Sequence, residues 1–430
     1  MKYKNMPSQF PYYTEPTHDQ GAAITLTAAN AGRTTATSAT EQRLIVDAVD
    51  RIFLLEPNKH PLVTLLTNVG KVYDGKAWKG SGMLKRPTWN PEFKWFEDFY
   101  GGRYAKVAGA GYAASGAVTI TVSGAGSSSA YIFTVGDTIK NARTGEVMLV
   151  ATVAGATTIT VAAAGRAFGT SAAAAGVSGD GLFIIGNVNE ENGGARNVNT
   201  TESTPQTNYT QIFKTTIALS NTEKEANLYG GKDLPYQRAK KGTEHALDIE
   251  RAFWWGEKKY STGVQGHPVR STGGVNEFIS GGNSYVQNQG GPLTAPDLNT
   301  FLREAFTYGN DTKMMFAGGV VLQAINEIAR GQILTKPLET TYGMKISQWQ
   351  TAFGTINIVH NPLFVEDYAS YAFMLDMESF MYRYMNNRDT MLQTNIQAPD
   401  ADGVVDQYIS EVGLQRAHAA KHALLKGVTD

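Results

Sequence analysis

The feature that most constrains this chain of 430 residues is an abrupt change in composition across residues 105–185. Only seven of these 81 residues are charged and 33 are Gly or Ala, whereas the sequence on both sides mixes charged, aromatic and aliphatic residues. A stretch so poor in large side chains contributes little to the core of its neighbours. We therefore predict that residues 105–185 form a small separate domain inserted within a larger one.

The same stretch carries the pattern of short β-strands. Val118–Val122 alternates between apolar residues and Thr, as expected for a strand with one buried face, and Tyr131–Val135 repeats this period. Thr144-Gly145 is typical of a hairpin turn. The runs GAVTITVSGAG at 116–126 and GATTITVAAAG at 155–165 echo each other, but two copies are too few for a solenoid. The sequence therefore predicts an all-β insertion.

Helical periodicity returns after the insertion. Ser220 followed by Glu223 is a capping-box signal, and apolar residues then recur at spacings of three and four from Tyr236 to Phe253. This spacing predicts one helix of about five turns over residues 235–255.

The opposite face of this helix is rich in charge. Lys240 lies four residues before Glu244, and Asp248 lies three before Arg251, which are spacings that place opposite charges side by side. We interpret Asp248 and Glu250 as part of this solvated face, and we expect His245 to lie on a surface or an interface.

Further elements follow from capping and breaking residues. The predicted helices and strands are a helix from Ser38 to Leu55, a helix opened by Thr294 and Pro296 with Leu298, Phe301, Leu302 and Ala305 inward, a strand at Lys313–Ala317, a helix at Val320–Arg330, and strands at Thr355–Val359 and Tyr371–Leu375. Residues 1–37 show little periodicity and are expected to be an extended arm.

Composition excludes several classes of protein. There is no Cys, so disulfide scaffolds, Cys-ligated zinc, iron–sulfur clusters and thiol catalysis are ruled out. Charged residues are 18% of the chain and the net charge is −1, which gives no bulk attraction to nucleic acid or to an anionic membrane. A low charge fraction is typical of a chain that buries much of its surface against other proteins.

No targeting or membrane segment is expected. The first residues, MKYKNMPSQFPYYTEP, lack the apolar region of a secretory signal. Val147–Gly165 runs for 19 residues without a charge, but Thr and Gly interrupt it and no aromatic belt or basic cluster flanks it.

The motifs that resemble chemical sites are incomplete. Gly70–Lys76 has the glycine spacing of a phosphate-binding loop, but Ala77 replaces the Ser or Thr that would bind magnesium. His418 and His422 would share a helix face, but the sequence supplies no third metal ligand nearby. No Gly-x-Ser-x-Gly elbow occurs. We therefore predict no catalytic, cofactor-binding or metal site, and no enzymatic activity.

Aromatic residues are dense between Trp78 and Tyr100. Because exposed aromatic side chains at this density favour association, they belong to a core or to an interface. We predict that Trp89, Trp95 and Phe99 make intersubunit contacts.

Several stretches resemble the major capsid proteins of tailed double-stranded DNA bacteriophages (Caudoviricetes), in particular a group with an inserted β-domain. They are SNTEKEANLYGG at 220–231, the helix ending IERAFWWG at 249–256, TGEVMLV at 144–150, LFIIGN at 182–187, YTQIFKT at 209–215, FMLDMESFMYRYMNNRDTML at 373–392 and QYISEVGLQRAHAAKHA at 407–423. Together they extend over most of residues 40–428.

The resemblance implies the Hong Kong 97-type capsid fold, an α+β fold with a long spine helix. It assigns the chain to an N-terminal arm (1–37), a peripheral domain (38–74, 219–293 and 351–430), an extended loop (75–104 and 186–218), the β-rich insertion (105–185) and an axial domain (294–350).

The function implied is that of a structural subunit which self-assembles into pentamers and hexamers. The resulting icosahedral shell would enclose packaged double-stranded DNA, assemble in the bacterial cytoplasm and become the virion capsid. The partners implied are copies of the chain, neighbouring capsomers, a portal, scaffolding or decoration proteins, and DNA contacted without sequence specificity, with no membrane and no cofactor. Two alternatives stay open, an encapsulin-like nanocompartment shell and an adhesion or glycan-binding surface protein. A phosphotransfer enzyme, based on Gly70–Lys76, is the weakest hypothesis.

Overall fold

The computed structural model describes residues 60–67, 85–100, 102–123, 129–170, 173–192, 194–198, 202–226, 232–329, 336–337 and 346–429. The predicted arm, the predicted helix from Ser38 to Leu55 and the Gly70–Lys76 motif lie outside these residues. Six helices lie within them: α1 Pro61–Thr67, α2 Asn221–Glu225, α3 Asp233–Trp255, α4 Val275–Gly281, α5 Ala295–Ala305 and α6 Gly319–Ala329.

The described residues also form 22 strands. They are β1 Lys85–Thr88, β2 Glu92–Glu97, β3 Tyr104–Val107, β4 Val118–Ser123, β5 Asp137–Asn141, β6 Val147–Val153, β7 Thr158–Val161, β8 Gly181–Asn187, β9 Thr204–Tyr209, β10 Gln211–Ser220, β11 Lys259–Thr262, β12 Pro268–Ser271, β13 Tyr285–Pro292, β14 Thr312–Ala317, β15 Lys336–Pro337, β16 Ile346–Gln350, β17 Thr355–His360, β18 Ala372–Leu375, β19 Phe380–Met385, β20 Met391–Gln393, β21 Gly403–Arg416 and β22 Ala423–Thr429.

The first sheet has five strands and carries the long helix α3. Its order is β1-β19-β21-β10, with β20 also paired to β21. The longest ladder joins β10 to β21 in antiparallel register, from Gln211 opposite Val412 to Ser220 opposite Gly403. Helix α3 packs across both of these strands. The apolar spacing from Tyr236 to Phe253 therefore predicted the helix correctly, although of the residues in that spacing Ile249 and Phe253 are buried and Ala239 is exposed.

The second sheet has seven strands, in the order β13-β22-β18-β14-β17-β16-β15. Strand β14 is almost continuously apolar because both of its faces are buried. Met314 and Phe316 lie in the core shared with α3, and Met315 and Ala317 lie in a second core under α5 and α6. A strand buried on both faces needs apolar residues at every position. Because β17, β18 and β22 belong to this sheet, the predicted domain boundary at residue 350 falls inside it.

A closed barrel of six strands, in the order β3-β4-β7-β6-β5-β8, occupies residues 104–187 and has a core of its own. The two echoing runs are β4 and β7, which pair with each other, Ile120 lying opposite Ile159. Gly145, at a φ of 74°, makes the turn between β5 and β6.

The prediction of a strand at Tyr131–Val135 is wrong. Residues Ser129–Ile132 form a 3-10 turn, and the chain then turns again because the amide of Thr134 donates to the Asp137 carboxylate at 2.7 Å. The amide of Asp137 in turn donates to the Thr134 carbonyl at 3.0 Å, so the strand begins only at Asp137.

The predicted caps are confirmed. The Ser220 side chain accepts from the amide of Glu223 at 3.2 Å, and the Thr294 side chain accepts from the amide of Asp297 at 3.4 Å. Leu298, Phe301, Leu302 and Ala305 of α5 are buried, as their spacing predicted.

No helix among the described residues is both long and apolar enough to cross a membrane. The uncharged run from Val147 to Gly165 forms β6, β7 and a short 3-10 turn.

His418 and His422 do not share a helix, contrary to the sequence prediction. They flank a 3-10 turn at Ala419–Lys421 that connects β21 to β22. His422 is buried, where its Nδ1 accepts from the amide of Asp376 at 3.1 Å and its Nε2 donates to the carbonyl of Ala417 at 3.2 Å. Burial lowers the pKa of His422 to about 3, so the ring is neutral in the fold.

Replacing His422 with Gln is expected to reduce the loss of unfolding free energy as the pH falls below about 6.5. The unfolded chain binds a proton at His422 near pH 6.5, whereas the folded chain binds it only near pH 3. Between these values the contribution of His422 to the free energy of unfolding falls as the pH falls, by up to about 5 kcal/mol. Gln can make both hydrogen bonds but does not titrate.

Urea unfolding of unassembled subunits between pH 7 and pH 3.5 measures this slope. His418→Asn is the matched control, because Asn tolerates the left-handed conformation that His418 adopts at a φ of 54°. Equal slopes for the wild type and His422→Gln would contradict the prediction.

Candidate intersubunit surfaces

The aromatic segment forms a two-stranded ribbon that joins the first sheet to the barrel. Strand β2 pairs with β9 in antiparallel register, from Glu92 opposite Tyr209 to Glu97 opposite Thr204. Alternation places Phe93 and Trp95 on one face, where both are buried, and turns Lys94 and Phe96 to the other, where both are exposed. Since β3 of the barrel follows β2, and β9 comes after β8, the barrel lies at the far end of the ribbon.

The buried face of the ribbon packs on the body of the subunit. Phe93 lies against β21 at Gly413, where an added Cβ would meet a Phe93 ring carbon at 2.9 Å and the Tyr209 carbonyl at 2.5 Å. Glycine is therefore required at 413 by this close approach. The Trp95 indole N–H donates to Glu97 Oε1 at 2.8 Å, and the same oxygen accepts from the amide of His418 at 3.0 Å.

Asn208 fixes the base of the ribbon. Its side-chain amide donates to the carbonyls of Leu414 at 2.7 Å and Gly273 at 3.1 Å, and its Oδ1 accepts from the amide of Gly273 at 2.9 Å. Asn208 is fully buried, so removal of these bonds would leave polar backbone groups without partners. The ribbon is thus anchored at one end by a satisfied polar network.

The three predicted contact residues do not share one environment. Trp89 is 73% exposed and Phe99 is 52% exposed, but Trp95 is only 9% exposed, so most of its surface is already covered by its own chain. The alternation of side chains along β2 explains why Trp95 is buried, because it places Trp95 on the same face as Phe93. The same parity in EFKWFE could have identified Phe96, which lies on the open face and was missed.

A second junction, between α3 and α1, corrects the interpretation of Glu250. Its carboxylate is fully buried and accepts from the amides of Leu62 at 2.9 Å and Val63 at 2.7 Å, and from the Trp254 indole at 2.8 Å. Glu250 therefore satisfies the free amides at the start of α1 and is not part of a solvated face. Burial raises the pKa of Glu250 to about 7, although the three N–H donors oppose this rise.

His245 is also buried, contrary to the expectation of a surface position. Its Nδ1 lies 2.9 Å from Thr215 Oγ1 on β10, and its Nε2 lies 2.7 Å from Ser410 Oγ on β21. Burial lowers the pKa of His245. The Lys240–Glu244 and Asp248–Arg251 pairs lie at 4.0 Å and 3.2 Å, and of these four residues Asp248 and Arg251 are exposed whereas Lys240 and Glu244 are half-buried.

Within the described ranges, no group of three or more His, Asp or Glu side chains is arranged to hold a metal ion. The features that distinguish the molecule are its surfaces: the open face of the ribbon, the loops beside it and the outside of the barrel. These are places where another protein could be bound.

A family model described as SU10 major capsid protein matches residues 27–429. The match confirms the resemblance identified in the sequence. A major capsid protein of Pseudomonas phage PaMx41 is 23% identical over an alignment of 228 residues, and the match covers 49% of this chain and 54% of that protein. The chain therefore spans about half of the length of this curated relative.

Two solved structures are similar to the chain at low identity. The holo-SrpI encapsulin complex from Synechococcus elongatus has 11% identity and a TM-score of 0.40, and the match covers 53% of this chain and 78% of that chain. The capsid of cyanophage A-1(L) has 10% identity and a TM-score of 0.39, and the match covers 56% of this chain and 85% of that chain.

The substitution Glu250→Gln is expected to remove a loss of stability between pH 4.5 and pH 7. In this window the folded chain keeps a proton at Glu250 that the unfolded chain has released. The contribution of Glu250 to the free energy of unfolding therefore falls as the pH rises through the window, by up to about 3 kcal/mol, and it opposes the contribution of His422. Gln has no carboxyl proton to lose, so this fall disappears.

Urea unfolding at pH 4.5 and at pH 7.5 measures how much the free energy of unfolding of each variant changes between these two pH values. Asp248→Asn, on the exposed flank of the same helix, is the control and should retain the wild-type difference. A Glu250→Gln protein whose stability responds to pH as the wild type does would show that Glu250 does not titrate in this window.

Proposed function

Since the chain belongs to the SU10 major capsid protein family, we propose that it is the structural subunit of an icosahedral virus shell. Subunits assemble into pentamers and hexamers, and the closed shell encloses double-stranded DNA. The observation that carries this proposal is the extent of the family match, which leaves unmatched only the first 26 residues and the last one.

We map the parts of a Hong Kong 97-type fold onto the chain as follows. The first sheet with α3 as spine helix is the peripheral domain, and the second sheet with α5 and α6 is the axial domain. The β2–β9 ribbon is the extended loop, the barrel is the insertion, and residues 1–37 are the N-terminal arm. The arrangement of the described elements supports this mapping, with the axial domain extended to include β17, β18 and β22.

The physical argument for a shell subunit comes from the ribbon. An isolated pair of strands is marginally stable in water, and on the face opposite Phe93 and Trp95 the β2 side chains Lys94 and Phe96 are exposed. Trp89, Phe96 and Phe99 are exposed beside that ribbon. A neighbouring subunit that covers them would bury aromatic surface and stabilise the ribbon at the same time.

The remaining partners follow from the same function. A shell needs a portal for DNA and can use scaffolding or decoration proteins, and it contacts DNA without sequence specificity. The near-zero net charge of the chain suits a wall that contains DNA without binding it tightly, which packaging and release both require. The shell is the virion capsid, assembled in the bacterial cytoplasm, and we assign the chain no catalytic role.

Negative-stain electron microscopy of the expressed protein, fractionated by size, tests the proposal. Shells of uniform diameter, or rosettes with fivefold and sixfold symmetry, are the expected result. Nuclease-resistant DNA inside shells made during infection supports a virus capsid, whereas an enzyme cargo would support an encapsulin-like compartment. Monomers that persist after co-expression with the neighbouring genes would contradict a shell and favour an adhesion protein.

Trp89→Ala is expected to impair assembly without unfolding the subunit. A buried aromatic contact at an interface is worth about 2 kcal/mol or more, so the concentration needed for assembly should rise at least about tenfold. The free energy of unfolding of the isolated subunit should stay within about 0.5 kcal/mol of the wild type.

Trp95→Ala is the matched control, because Trp95 packs within its own chain. It should lower the unfolding free energy of the isolated subunit by about 3 kcal/mol or more. Light scattering during assembly and urea unfolding of subunits provide the two measurements. Normal assembly of Trp89→Ala and of Phe99→Ala would rule out the predicted contact.

A further inference from the structure

The outside of the barrel carries positive charge that is not neutralised. All three acidic residues of residues 104–187 are buried and paired with arginine: Glu146 with Arg166 at 2.7 Å, Asp180 with Arg143 at 2.6 Å, and Asp137 with Arg196. Lys106 and Lys140 are exposed and have no ion-pair partner among the described residues. The barrel positions outside the described ranges are Gly, Ala and Ser, so they add no charge.

These two lysines flank an apolar strip. Tyr104 on β3 lies opposite Phe183 on β8, with ring centroids 4.7 Å apart, and Phe183 in turn lies opposite Lys140 on β5. Lys106 lies two residues beyond Tyr104 on the same face of β3. We call Tyr104, Lys106, Lys140, Phe183 and Ile185 the lysine–aromatic face.

A bulge in β8 turns Ile185 outward. Gly186 pairs with Thr138 and Ile184 pairs with Ile139, so Ile185 is the extra residue between two ladder positions. Its side chain is 57% exposed, and the neighbouring Phe183 is 44% exposed. Apolar side chains on an otherwise regular barrel, bordered by unpaired cations, fit a partner that is both apolar and acidic.

The chain itself contains a segment of that chemistry. Val188, Glu190 and Glu191, which follow β8, are all exposed, and neither glutamate has an ion-pair partner among the described residues. We call residues 188–192 the acidic loop. The amide of Val188 donates to the carbonyl of Gly136 at 2.9 Å, and the Arg196–Asp137 pair fixes the chain beyond the loop to the same turn.

The acidic loop does not neutralise the lysines of its own barrel. It is fixed at the turn before β5, and its carboxylates make no described contact with Lys106 or Lys140. The lysine–aromatic face and the acidic loop are complementary surfaces at different places on one chain. Such surfaces form a heterologous contact, in which each copy binds the next one around a ring. A ring of subunits is what a capsomer requires.

We propose that the lysine–aromatic face of one subunit binds the acidic loop of a second copy, an inference that rests on the shell function proposed above. Lys106 and Lys140 meet Glu190 and Glu191 of the neighbour, and Val188 of the neighbour covers the strip formed by Tyr104, Phe183 and Ile185. The contact joins barrels directly, in addition to any contact that the ribbon makes.

Reciprocal charge reversal tests this pairing. The double variants Lys106→Glu/Lys140→Glu and Glu190→Lys/Glu191→Lys should each lower shell yield at least about tenfold, because like charges then face each other. The quadruple variant restores opposite charges and should return to within about twofold of the wild type. If both double variants give the same shell yield as the wild type, the proposal is overturned.

Failure of the rescue alone would also overturn it, since it would show that the lysines bind some other acidic partner, such as an anionic glycan or a decoration protein. The wild type is assembled in parallel. If the wild type forms shells and the charge reversals have no effect, this contact is rejected but the shell function is kept. If the wild type stays monomeric even after co-expression with the neighbouring genes, the shell function itself is rejected.

Carbodiimide crosslinking gives an independent readout on any oligomer that forms. The reagent joins a lysine to a carboxylate in contact, so subunits mixed with and without heavy isotopes should yield mixed-isotope peptides linking Lys106 or Lys140 to Glu190 or Glu191. The Lys240–Glu244 pair at 4.0 Å within one chain is the control for reagent activity. Formation of that control link without the mixed peptides would reject the contact.

Discussion

The antiparallel ladder between β10 and β21 is the interaction on which the rest of the subunit depends. It joins segments almost 200 positions apart in the sequence, and its register runs unbroken from Gln211–Val412 to Ser220–Gly403. The ribbon and barrel lead into β10, and β21 leads into β22 of the second sheet. His245 of α3 contacts a hydroxyl on each strand, so the long helix is fixed across the ladder and holds both strands in place.

Local signals in the sequence were sufficient for several of the elements. The helix at Asp233–Trp255, the caps at Ser220 and Thr294 and the β5–β6 hairpin depend on residues within a few positions of one another. The residues that determine each of these elements are therefore visible in the local sequence. The echo between residues 116–126 and 155–165 does not by itself reveal pairing, yet the two runs contain β4 and β7, which are paired strands of one barrel.

Burial of polar groups could not be predicted in the same way, because the partners are remote. Glu250 bonds to amides 187 and 188 positions away, and His245 bonds to a serine 165 positions away. On a helical wheel both residues border the apolar stripe, where periodicity does not distinguish a buried polar side chain from a solvated one. Their environment is set by a helix and a strand from other parts of the chain, and no periodicity within α3 reports them. Trp95 differs, since strand parity with Phe93 would have placed it correctly.

The division of the molecule into separate cores explains how contact surfaces can change without loss of the fold. The barrel has its own apolar core and a satisfied buried pair, Glu146 with Arg166, so its buried groups find their partners within the barrel itself. The ribbon is held on the body by Asn208 and Phe93 at its base and by the hydrogen bond from the His418 amide to Glu97. Exposed residues on the ribbon and the barrel are therefore under little constraint from packing within the subunit. An exposed aromatic or an unpaired lysine kept in such a place is better explained by what it meets on a neighbour than by what it contributes to its own chain.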